Sequence, residues 1–322
     1  MYFIFIFILL NKIKKHFFVS LFLIIFFDVS CQINILTEAE NLYLNGEYGS
    51  AQNIFISQLD NSEKNDYVLF RIADCSGKLG KSDAEYWYLE LLDNYKNSNY
   101  YEKSKFNLAK IYFSNKNYTN SVQLFSEISQ NKLKSNEFYF KYGYSLFYLD
   151  DYDQAKYNFL KVTEGKYKTL SNYFYAYILY SQEMYNKSLL VFQTLSDDET
   201  FSKIIPYYIT QIYFSLEKYS DIVEYAVPLL ENVIDSREAE MYRIVSDSYY
   251  HLNDFKNAKK YFNKFLEINT DINVLDFFQI GQINIYLEDY DSAINFLEKV
   301  NNVDDSISQY TSYYLGKSYL KV

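Results

Sequence analysis

The feature that most constrains this chain of 322 residues is a small side chain that returns every 33 to 36 positions. It stands at Ala39, Ala73, Ala109, Gly143, Ala176, Thr210, Ser246, Gly281 and Gly316. About twelve residues after each of the first eight comes a second, mostly small position: Ala51, Ala84, Ser121, Ala155, Ser188, Ile222, Ala258 and Ala293, with Ile222 the exception. Four residues further on sits a bulky side chain, as Phe55, Tyr88, Phe125, Phe159, Phe192, Phe262 and Leu297, and only Ala226 breaks that rule. An aromatic usually precedes the second small position by three, as Tyr48, Tyr118, Tyr152, Tyr185, Tyr219, Phe255 and Tyr290. Two antiparallel helices can approach closely only where a side chain is small, and a large residue must then fill the groove beside the contact. A period of about 34 residues holds two helices and two short turns. The turns are expected at Leu44-Asn45-Gly46-Glu47, Leu149-Asp150-Asp151, Leu252-Asn253-Asp254 and Leu287-Glu288-Asp289. There Asn and Asp satisfy the free amides that open the second helix. With 8 Gly and 2 Pro, long helices are favoured over many short strands. An apolar share of 49% suffices for a continuous core.

Segments such as Tyr142-Gly143…Tyr152-Asp153-Gln154-Ala155…Phe159 and Ile280-Gly281…Tyr290-Asp291-Ser292-Ala293 resemble tetratricopeptide repeats, and the likeness runs over roughly residues 35–322. The resemblance implies an all-α fold, a right-handed superhelical solenoid of about eight helix-turn-helix repeats plus one unpaired C-terminal helix around Tyr313, Leu315, Gly316 and Tyr319. Solenoids normally finish on a polar-faced cap, so the solenoid, spanning 32–322, is expected to continue past Val322. Departures from the pattern are local. The second unit has one residue fewer between its small positions, and the sixth carries Ile222 and Ala226. Pro206 falls near a helix start, where it is tolerated, whereas Pro228 falls well into a second helix and should kink or end it. Cys75 reads as a small buried apolar residue.

In this family the first helices line a concave face, and the resemblance carries that role onto particular registers. They give Phe140, Tyr144, Phe147 and Tyr148 in the fourth unit, Tyr173, Tyr177 and Tyr180 in the fifth, and Tyr207, Gln211 and Phe214 in the sixth. The seventh adds Arg243, Asp247 and Tyr250, and the eighth Phe278, Gln282 and Tyr286. Aromatic surfaces with polar tips suit extended peptides or a partner's helix. A chain with 38 Tyr and 27 Phe also places rings everywhere, so single rings can simply pack against the next unit. A contiguous stripe favours binding.

Nothing in the sequence asks for catalysis, a cofactor or a metal. Of two histidines, His16 lies near the start and His251 stands alone at a turn. No Cys/His cluster, Gly-rich phosphate loop or nucleophile elbow occurs. The pairs Asp150-Asp151, Asp197-Asp198 and Asp304-Asp305 fall in loops or at helix starts, where they cap helices. A net charge of −10 disfavours nucleic acid or an anionic membrane surface as partner.

The N-terminus has a basic stretch, Asn11-Lys12-Ile13-Lys14-Lys15-His16, followed by the apolar run FFVSLFLIIFF at residues 17–27. That is the layout of a signal peptide, and the run is short for a membrane span. Residues 1–31 are therefore expected to be an export signal, with the extra apolar run 1–10 attributed to a start codon placed too far upstream. Ser30-Cys31 resembles the end of a bacterial lipoprotein signal, but Asp28 departs from it. Two outcomes stay open: a lipid anchor on Cys31, or ordinary cleavage near it. The expected location is the periplasm or outer membrane of a Gram-negative bacterium. The stretch Glu85–Phe113 is similar to repeats of bacterial accessory proteins for outer-membrane assembly and cell division. The resulting expectation is an exported scaffold for protein partners. The alternatives are a glycan-binding surface protein, or the repeat portion of a larger secretion or assembly protein.

Overall fold

The computed structural model describes residues 35–59, 65–233, 235–269, 272–300 and 306–322. The export signal, Cys31 and Asp304-Asp305 lie outside them. Every regular element among the described residues is a helix. The chain divides after Val162 into two compact units.

The first unit holds α1 (35–44), α2 (Tyr48–Ser57), α3 (Asn65–Lys78), α4 (Ala84–Asn94), α5 (Tyr101–Ser114), α6 (Tyr118–Ser126), α7 (Asn136–Tyr148) and α8 (Tyr152–Lys161). The second holds α9 (Lys166–Ser181), α10 (Tyr185–Gln193), α11 (Ile205–Ser215), α12 (Tyr219–Ala226), α13 (Asp235–His251), α14 (Phe255–Ile268), α15 (Val274–Tyr286), α16 (Tyr290–Leu297) and α17 (Ser306–Tyr319). Odd-numbered helices are the first, and even-numbered the second, member of each hairpin. Within each unit the helices pack on their sequence neighbours, and each unit is an all-α stack of helix-turn-helix repeats.

The small-residue registers are the seams of these hairpins. Ala39, Ala51, Ala73, Ala109, Ala155, Ala176, Ala258 and Ala293 are all fully buried. Phe55, Phe125, Phe159, Phe192, Phe262 and Leu297 fill the space beside them. Where serine takes a seam position, it bridges the two helices. Ser121 Oγ donates to the Ala109 carbonyl at 3.1 Å, Ser188 Oγ to Ala176 at 2.8 Å, and Ser246 Oγ to Ala258 at 2.8 Å. The sixth hairpin exchanges large for small, with Ile222 and Ala226 both buried. Opposite Ile222, the buried Thr210 hydroxyl has no hydrogen-bond partner. As expected, Pro206 sits in the first turn of α11, and α12 gives way at Val227 to a 3-10 segment that contains Pro228. Cys75 is buried, and burial pushes its thiol up to about 11.

Each hairpin turns on one left-handed residue: Gly46, Gly80, Lys116, Asp150, Glu183, Glu217, Asn253 or Glu288, with φ between 56° and 84°. In every hairpin but the second, where Asp83 takes the place, the next residue is the N-cap of the second helix. The side chains of Asn117, Asp151, Asp254 and Asp289 accept from the amides of Asn120, Gln154, Asn257 and Ser292. Gly316 differs from the other registers, because its α carbon faces open space.

Candidate binding surfaces

Side chains from neighbouring first helices meet on one face of each unit. Glu40 of α1 accepts from Tyr67 and pairs with Arg71 of α3. Asp74 of α3 accepts from Asn107 of α5 at 3.3 Å, and Glu137 of α7 pairs with Lys110 of α5 at 3.4 Å. In the second unit Gln211 of α11 reaches Glu240 of α13 at 3.4 Å, and Asp247 of α13 accepts from Gln279 of α15. Of the residues that the resemblance selected, Gln211 and Asp247 take part in these contacts.

The second unit concentrates tyrosines there. Tyr173, Tyr177 and Tyr180 of α9 all approach Tyr208 of α11, with ring centroids 6.1, 5.9 and 5.7 Å away. Phe192 of α10 stacks on the same ring at 5.0 Å and 5°. Tyr173 also stacks on Phe201 at 4.6 Å, and its hydroxyl donates to that of Tyr208 at 3.3 Å. Burial raises the Tyr208 and Tyr180 hydroxyls above the ordinary phenol range, so both stay protonated near neutral pH. Tyr207 stands beside Tyr208 and carries the Arg237 guanidinium over its ring at 4.7 Å. Phe214 packs instead toward Tyr219 at 6.3 Å, and Phe278 toward Tyr314 at 6.1 Å, so neither joins this cluster.

In the first unit Phe140 is only 6% exposed and packs against Phe159, so its ring serves the core. Tyr144 lies between Phe113 and Tyr148, at 5.4 and 4.9 Å, and Phe147 meets Tyr152 at 5.9 Å. His251 closes α13 and lies flat on Tyr219 at 4.2 Å and 7°, with Asp247 3.8 Å away. It is thus built into a helix end rather than standing alone at a turn.

Sequence reasoning passed over a cleft of about 610 Å³ in the first unit. Asp74 lines it and accepts from Tyr43, Tyr88 and Asn107. Glu85 accepts from Tyr112 at 2.9 Å. Lys78, Lys81, Lys110 and Lys141 stand around it. The signal that could have found it is the shortened second unit, which also lacks the aromatic found three residues before the second small position elsewhere. Among the described residues, no group of three or more His, Cys, Asp or Glu could hold a metal ion. No described helix is long and apolar enough to cross a membrane.

The family model for the tetratricopeptide repeat matches residues 239–272 and 277–306, which cover most of α13 to α16. Among solved structures, a tetratricopeptide repeat protein from Parabacteroides merdae is similar at 12% identity and TM-score 0.41, over 89% of this chain and 98% of that one. The C-terminal part of a repeat-containing protein from Cytophaga hutchinsonii is similar at 20% identity and TM-score 0.48, over 61% and 77%. PilF of Pseudomonas aeruginosa is similar at 12% identity and TM-score 0.47, over 69% and 97%. No curated protein matches the sequence.

Proposed function

We propose that this tetratricopeptide-repeat protein is an exported scaffold at the bacterial cell envelope, which grips partner proteins on the faces of its first helices. Tetratricopeptide repeats are protein-binding modules, and the observation that carries the reading is the tyrosine face of the second unit. Four half-buried tyrosines, Tyr173, Tyr177, Tyr180 and Tyr207, surround Tyr208 and keep their rings in fixed poses. Rigid aromatic area with hydroxyl tips binds at low entropic cost. The basic and apolar layout of residues 1–31 supports export.

Affinity capture with the exported chain from its own cells tests the scaffold. It should recover protein partners, and Tyr177→Ala with Tyr207→Ala should weaken the capture by about 30-fold, the equivalent of one hot spot of about 2 kcal/mol. Recovery of no protein, together with saturable binding on a glycan array, sinks the reading. Fatty-acid labelling tests the anchor. Label should enter the wild type and be lost in Cys31→Ser, and equal incorporation in both excludes it.

A further inference from the structure

Six of the eight hairpins carry the same aromatic pair at the turn between their helices. One ring comes from four residues after the first small position, and the other is the first residue of the second helix. The pairs are Tyr43–Tyr48, Phe113–Tyr118, Phe147–Tyr152, Tyr180–Tyr185, Phe214–Tyr219 and Tyr250–Phe255, with centroids between 5.4 and 6.3 Å apart. The eighth hairpin has Ile285 and Tyr290 at these places. Several of the second rings also lie against the next first helix: Tyr118 on Tyr148 at 4.7 Å, Phe255 on Tyr286 at 4.3 Å, and Tyr48 under the Lys78 ammonium at 5.3 Å. The motif thus fills the corner between one hairpin and the next.

The second hairpin has neither ring. Counted from the left-handed turn residue, three before Gly80 and two after it, the two positions hold Gly77 and Ser82, and Ser114 stands where the next first helix would offer Tyr148 or Tyr286. All three line the 610 Å³ cleft. A Cβ built on Gly77 meets nothing within 4 Å, so the glycine is not there to let two helices approach. The walls are apolar where rings would lie, at Ala84, Tyr88 and Ile111. The mouth is basic, and the carboxylates inside are already accepting from Tyr43, Tyr88, Asn107 and Tyr112.

We infer that this cleft receives an aromatic side chain of a partner protein, from a segment with an acidic residue next to that ring. The ring takes the corner that the chain's own aromatic pair fills in the other hairpins, against Ala84, Tyr88 and Ile111. The neighbouring carboxylate meets Lys78 and Lys81 at the rim, where a net positive cluster on an acidic protein favours an anion. The inference rests on the scaffold reading and specifies one contact of it.

The probe is a phage-displayed library of random peptides about twelve residues long, selected on the full chain. Wild type should enrich peptides with Phe, Tyr or Trp beside Asp or Glu. Gly77→Phe with Ser82→Tyr places the pair seen in six sister hairpins at the same two steps from the left-handed residue, and should bind the enriched peptides at least tenfold more weakly while its urea midpoint holds or rises. Lys78→Glu with Lys81→Glu should weaken them several-fold; because Lys81 also donates to Gln52 and Lys78 lies over Tyr48, the urea midpoint is read alongside, and the loss of binding should exceed any loss of stability. Enriched peptides without a ring and an acid, or equal binding to wild type and both variants, overturn the inference. Peptides that ignore the cleft variants but are lost on Tyr177→Ala with Tyr207→Ala leave the scaffold standing without this site. No enrichment on any form, with empty capture from cells, removes both.

Discussion

Replacing Phe192 by alanine should lower the stability of the second unit by about 3–5 kcal/mol, the range for deleting a fully buried ring. Phe192 has no exposed surface and lies in the cluster that joins Ala176, Leu195, Ile205, Tyr208 and Ile209. The loss has two sources. The ring's burial is forfeited together with the contacts of its stacked neighbour Tyr208, 5.0 Å away, and of Tyr173, 6.2 Å away. The space left between α9, α10 and α11 cannot close, because the hairpin seam at Ala176 and Ser188 already sets their approach. Urea unfolding followed by circular dichroism measures the change, and a loss under about 1 kcal/mol would show that the helices collapse into the gap. Partner capture should fall with it, since Phe192 holds the ring around which the tyrosine face is arranged.

A second large effect is expected at Gly281. A Cβ there would stand 2.6 Å from both Cγ and Cδ2 of Leu297, a fully buried side chain on α16. Because Cγ is among the atoms met, turning the end of the Leu297 side chain about Cβ–Cγ does not clear it, and swinging the whole side chain must displace its packed neighbours. Gly281→Ala gains up to about 1 kcal/mol of helix propensity but must spread α15 from α16. Gly281→Val brings two more methyl groups to the same point and should destabilise by about 3 kcal/mol. Gly77 is the control. In the last turn of α3 with open space around it, it should accept alanine with no loss. Thermal unfolding of the three variants reads the contrast, and similar midpoints for all three would refute this account of the seam.

The seams were legible because they are local and pairwise: twelve residues separate Ala109 from Ser121, and one hydrogen bond joins them. Turn chemistry was legible for the same reason, as Asp151, Asp254 and Asp289 act on amides three residues away. The binding faces were less so. Phe140 has the right register, yet it turns toward Phe159, because the neighbouring seam residue Gly143 lets that ring come close. Tyr208, the hub of the tyrosine face, sits one position from the register that selected Tyr207. Its role depends on α9, α10 and α11 together. The cleft was hardest to see because it is made of omissions. Gly77, Ser82 and Ser114 are unremarkable singly, and they matter only when α3, the turn after it and α5 bring them to one corner.

The left-handed residue at each hairpin has a consequence for ancestry. Six of the eight are not glycine, and each such residue costs about 1–2 kcal/mol relative to ordinary helical backbone. That cost recurs at equivalent places because the chain must reverse through the same pose each time. Within either unit, any two of these residues are therefore equivalent joints. A crossover during replication that pairs one joint with the next would delete or duplicate a segment of about 34 residues and leave every remaining bend unchanged. Chain length can drift by whole hairpins in this way, while a specialised hairpin such as the second travels intact as a heritable block.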